Sequence, residues 1–137
     1  MKLSIINVIA GIMSSMKINK ISDKEVKTAL INNYLYLRKF VKEADEERKE
    51  LVEKFQDDWK DELAAVDAFR KENKPVVGHD DYLEAERDAT KAISDIFEKD
   101  VDAKVKAVPM DSFVSACGNE ELTLEQIALL EENGIIE

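Results

Sequence analysis

Residues 40–59 read FVKEADEERKELVEKFQDDW, and twelve of these twenty positions are charged. Between the charges runs a thin apolar line of Val41, Ala44, Leu51 and Phe55, at separations that put one side of a helix against something apolar. The line extends back through Val26, Leu30, Tyr34 and Leu37 and forward through Trp59, Leu63, Val66 and Phe69. No Gly or Pro occurs from Asp23 to Lys74, and Ser22 followed by Glu25 has the form of a capping box. The sequence therefore predicts a long amphipathic helix over 22–74. Its apolar steps of four from Phe55 to Trp59 to Leu63 drift away from a strict 3.5-residue repeat, so the packing partner should change near residue 57. Fifty helical residues would run about 75 Å, whereas a compact domain of this size has a radius of gyration of about 14 Å. The helix must bend, project or be covered piecewise.

The flanking segments supply the cover. ENKPVVGHDD, residues 72–81, holds Pro75, Gly78 and capping aspartates and reads as a turn. A second helix over 81–100, marked by Leu83, Ala89, Ile93, Ile96 and Phe97, should fold back antiparallel on the distal part of the first. From Val101 to Val108 the period becomes two, which suggests a short edge strand that would pair with LSII or KINKI near the N-terminus in a small β-ribbon. FVSACG, residues 113–118, reads as a partly buried apolar turn. LTLEQIALLEENGIIE closes the sequence with a helix over 123–133, capped by Thr123 with Gln126 and stopped by Gly134 with Ile135 behind it. The expected fold is mainly α, a helical hairpin with short N- and C-terminal helices, and 137 residues suit one domain.

Composition narrows function. MKLSIINVIAGIMSS has the outline of a secretory signal, but Asn7 interrupts the run and no clear A-x-A site follows, so residues 1–21 are read as an apolar part of the fold. The run also falls short of the roughly 20 residues that span a bilayer, and no membrane segment is expected. The single Cys117 excludes an internal disulfide and fits a reducing compartment. The net charge is −10 but unevenly spread. Residues 1–42 carry eight Lys or Arg against two acids, 43–62 four against ten, and 63–137 eight against eighteen. An acidic body disfavours nucleic acid, and only Lys17, Lys20, Lys24 and Lys27 would suit it.

Motifs for chemistry are weak. His79 with Asp80 and Asp81 begins a metal-ligand set but lacks a second cluster, and Asp57, Asp58, Asp61 and Glu62 lack the Gly and alternating oxygens of a calcium loop. Capping and a solvated helix face explain both groups. Cys117 lies 38 positions from the only His and has no evident activating base. No catalytic, cofactor or metal residue is assigned. Trp59 and Tyr34 belong to the apolar stripe, whereas Tyr36 is off it and suits a contact surface. Lys39, Glu46, Glu50, Asp57 and Asp58 join it there. Two copies laid antiparallel would set Lys24, Lys27, Arg38, Lys39 and Lys42 against Glu46, Glu47, Glu50, Glu53, Asp57 and Asp58.

The order of an apolar N-terminal segment, a charged helix carrying EERKELVEKF, a second helix, the alternating KVKAV and the terminal ELTLEQIALLEENGII resembles a family of short phage- and prophage-encoded proteins to which no function is assigned. The resemblance implies no active site and has no counterpart for the Gly78–His79 loop. It implies a non-enzymatic protein acting through protein contacts, in virion head or tail assembly or as an accessory component, located in the virion or the host cytoplasm. The alternative it leaves open is an inhibitor of a host factor or defence system, working by protein binding, nucleotide sequestration or DNA mimicry. A site shared between subunits of a minor enzyme is the third reading.

Overall fold

A computed structural model describes residues 1–117 and 122–137. It is mainly helical, as the sequence predicts, with α1 (Leu3–Ser15), α2 (Lys24–Asp58), α3 (Lys60–Lys71), α4 (Asp80–Glu98), α5 (Met110–Ala116) and α6 (Leu124–Glu132), and a 3-10 turn at Ile18–Lys20. The chain divides into two compact units, Met1–Glu43 with Lys99–Glu137 and Ala44–Glu98.

In the first unit, α1 is a helix from the third residue onward. It buries Leu3, Ile6, Ile9 and Met13 on one side, at helical spacing. Leu37, Leu130, Ile135 and Ile136 join them in the core, each stabilising the fold by about 2 kcal/mol relative to exposure. The start of α2 corrects the expected capping box. Asp23, one residue later than Ser22, accepts the Glu25 and Val26 N–H groups at 2.9 and 3.1 Å. A carboxylate here also complements the positive end of the helix dipole.

Residues 101–107 form no strand, and the β-ribbon is replaced by two isolated bridges, Lys2 with Asp100 and Val108 with Ile136. LSII is taken up in α1 and KINKI in the 3-10 turn, so neither offers an edge. The segment is nonetheless extended, with side chains alternately exposed and half-buried from Val101 to Ala107. Part of its backbone is held by α2 instead. The buried Asn33 side chain donates to the Lys106 carbonyl at 2.8 Å and accepts the Lys106 N–H at 3.0 Å. The Tyr36 hydroxyl accepts from the Lys104 N–H at 3.3 Å. The segment begins against the N-terminus, where Val101 N–H meets the Met1 carbonyl at 2.8 Å, and ends against the C-terminus, where Val108 exchanges bonds with Ile135 and Glu137.

The remaining elements of this unit are short. The expected turn FVSACG is instead helical from Phe113 to Ala116, in α5, which buries Phe113 and Ala116, with Cys117 buried at its end and Gly118 outside the described residues. Helix α6 has the expected capping box, Gln126 N–H to the Thr123 hydroxyl at 3.2 Å and Thr123 N–H to the Gln126 side chain at 2.9 Å. Gly134 stops it at φ 77°, where a left-handed residue lets Gly134 and Ile135 close on the Glu131 and Leu130 carbonyls.

The second unit contains residues 44–58 of α2 followed by α3 and α4. The helix expected to run unbroken to Lys74 is interrupted at Trp59, whose φ of −119° and ψ of 23° leave the helical region. Hydrogen bonding continues across the break, with Trp59 N–H to Phe55 and Leu63 N–H to Trp59, so the chain kinks without forming a loop. The kink falls where the apolar steps of four rotate the stripe. There Phe55 and Trp59 both pack on the fully buried Tyr82 of α4, with centroids 5.4 and 5.9 Å away. Helix α3 ends in a left-handed Asn73, φ 54°, with the Asn73 and Lys74 N–H groups closing on Arg70 and Phe69.

Candidate functional site

An apolar opening lies within the first unit. Helix α1 ends after Ser15, whose hydroxyl donates back to the Ile12 carbonyl at 2.6 Å, while Ser14 donates to Gly11 at 2.8 Å. These bonds compete with helix continuation, and the chain leaves through Met16 into the 3-10 turn. Ile21 is buried and anchors that turn before α2 begins. The result is a groove of about 240 Å³ lined by Met13, Ser14, Met16 and Ile18 on one side and Leu30, Ile31, Tyr34 and Leu35 of α2 on the other. Leu30 is its buried floor, whereas Ile31 and Leu35 are 37% and 50% exposed. Two flexible Met side chains make the facing wall adaptable.

No charged residue lines the groove, but cations surround it in the sequence and on the helix. Lys17 sits between Met16 and Ile18. On α2, Lys27 precedes Ile31 by one turn, and Arg38 and Lys39 follow Tyr34 and Leu35 by one turn, on the same flank. The acids of residues 1–42 are Asp23, used as the α2 cap, and Glu25, which lines a separate, polar cavity with Lys24, Thr28 and Asn32.

The residues singled out from sequence do not converge here. Tyr36 is half-buried, holds Lys104 through its hydroxyl and meets Phe40 edge-on at 5.3 Å, so it is used within the fold. Lys39 is exposed near the groove. Glu46, Glu50, Asp57 and Asp58 are exposed in the other unit, and Asp58 pairs with Lys54 at 2.8 Å, which raises the Lys54 pKa through that hydrogen bond. Asp45 is likewise engaged, its pKa lowered by hydrogen bonds from Arg48 and Lys49. Ile31 and Leu35 escaped the sequence reading because they lie beside the main stripe. Their own i, i+4 spacing on an otherwise polar flank was the available signal.

A further, mainly apolar cavity of about 190 Å³ lies in the 44–98 unit, between Val52, Phe55 and Leu63 and the α4 residues Ala89 and Ile93. Its polar edge is an internal clip. Arg70 grips Glu86 with both terminal nitrogens at 2.9 and 2.6 Å, and the Tyr82 hydroxyl donates to the same carboxylate at 3.3 Å. Arg70 holds the Glu86 pKa below its ordinary value, and burial pushes that of Tyr82 up. With its donors and acceptors turned on one another, the cluster braces α3 against α4. Nearby, His79 contacts Glu62 at 3.3 Å and packs on Phe69, while Asp80 and Asp81 begin α4.

Among the described residues no three His, Cys, Asp or Glu side chains gather as a metal site would need, and no helix is long and apolar enough to cross a membrane. Compared with protein-family models, curated proteins and solved structures, the chain matches none.

Proposed function

We propose that this protein works through protein contacts, not catalysis, and that its contact surface is the apolar groove bounded by Ile31 and Leu35. The observation that carries the reading is the groove's position. It is concave, apolar and open, on an otherwise highly charged chain, and two aliphatic side chains stand exposed along its rim. Apolar surface of this kind gains free energy when a partner covers it. Ile31→Ser and Leu35→Ser together should abolish co-purification of the partner from the producing cells, with the circular dichroism spectrum unchanged. Partner capture that is the same with and without the two substitutions would remove the groove from the function.

The narrower reading, an accessory component of a phage particle, rests on the resemblance of EERKELVEKF and the terminal ELTLEQIALLEENGII. Mass spectrometry of purified particles tests it. Absence from particles, with abundant protein early in infection, would favour the inhibitor of a host factor.

A further inference from the structure

We propose that the groove takes an acidic amphipathic α-helix of another protein, seated by two apolar side chains one turn apart. This rests on reading the groove as a protein contact, and names the partner's chemistry. Ile31, Tyr34 and Leu35 recur at i, i+3 and i+4, so the α2 wall presents ridges at the spacing with which a second helix interdigitates. The Met13, Met16 and Ile18 wall closes the other side, leaving a trough for aliphatic anchors.

Charge selects the partner's outer face. On α2, Lys27, Arg38 and Lys39 stand one helical turn from the trough residues Ile31, Tyr34 and Leu35, whereas Asp23 is committed to capping and Glu25 faces a different cavity. An acidic helix finds cations around its anchors, and a basic one is repelled. A bilayer is a poorer fit, since it requires a protruding apolar face and this one is concave.

A second copy seated through its α2 is also a poorer fit. Its exposed acidic face, Glu46, Glu50, Glu53 and Asp57, follows one helical flank but contains no apolar residue, while Val52 and Phe55 of the same helix line that unit's own cavity beside Tyr82. Such a face would match the cations and set carboxylates against Ile31 and Leu35.

The test is fluorescence anisotropy with a labelled synthetic helix of about fifteen residues, built from Glu, Ala and two Leu one turn apart, titrated with the full-length protein. Saturable binding is expected at low salt, weakening by about tenfold with Leu35→Ser and by a similar factor with Lys27→Glu. Replacing the peptide's Leu by Ser, or its Glu by Lys, should abolish binding. The proposal is overturned if the acidic helix does not bind, if the Lys version binds equally, or if Leu35→Ser leaves affinity unchanged. Displacement of the peptide by phosphatidylglycerol vesicles, or sedimentation showing a dimer that Leu35→Ser dissolves, would overturn it in favour of a lipid or a second copy. If the peptide fails while cellular partner capture still requires Ile31 and Leu35, the protein-contact reading stands and the acidic helix is discarded.

Discussion

Asn33 is a buried amide inside a helix, and both of its hydrogen bonds are spent on the backbone of Lys106. Asn33→Leu fills the same space but leaves that peptide's N–H and C=O without their partner, which should cost about 1–3 kcal/mol in urea unfolding. Because Lys104 and Lys106 are exposed, trypsin should also cut the variant faster there. An unchanged midpoint and cleavage rate would mean that packing alone holds the segment. Asn33 was not legible in the sequence, since a stripe traced through apolar residues passes over the polar position that docks a neighbour. The Arg70–Glu86 pair gives a pH signature. Arg70 lowers the folded-state pKa of Glu86 below its ordinary 4.5, so its contribution is present above pH 4.5 and lost as pH falls through the depressed value. Thermal melts taken down from neutrality should show Arg70→Gln destabilised near neutral pH, converging on the parent in acid. Both groups are partly exposed, so added salt should shrink the difference. Parallel acid limbs in parent and variant would rule out the pair as the source.

Element boundaries were readable where a residue type has one job. Thr123, Gln126 and Gly134 set both ends of α6 as the sequence predicts. At α2 the pattern of a capping box pointed to Ser22, whereas Asp23, one residue later, supplies the cap. Asp23→Ala should therefore cost about 1 kcal/mol, while Ser22→Ala stays within a few tenths, as measured by urea unfolding of each. The reverse ranking would return the cap to Ser22. Gly134→Ala forces a side chain into the left-handed region, at about 1–2 kcal/mol, although the space around it is open. Alternation over 101–107 specified an extended backbone and which side chains face inward, and both are observed. It did not specify the partner, because hydrogen bonds to an Asn and a Tyr on a helix leave no periodic trace. Helix α5 was similarly opaque, being two turns without a side-chain cap. The break at Trp59 was visible as a drifting stripe, but that drift fixes only where the packing changes, not that the backbone kinks.

At the scale of the whole molecule, the division of charge in the sequence bears on self-association. Residues 1–42 are basic and 43–62 acidic, so two copies of α2 laid antiparallel are drawn together. The contact they make is between exposed charges, with Asp45 and Asp58 already engaged within their own helix. Exposed pairs contribute little and are screened within about 8 to 10 Å at physiological ionic strength. Burial of apolar surface is what converts such steering into a stable dimer, and the acidic face of α2 supplies none. Sedimentation equilibrium should thus find weak association at low salt that vanishes at physiological salt. Lys39→Glu should suppress it, while Leu35→Ser should leave it intact because the groove plays no part. Association that persists at physiological salt would mean that apolar surface is being buried between copies. A monomer at high concentration and low salt would reduce FVKEADEERKELVEKFQDDW to a solvated face and leave partner binding to the groove.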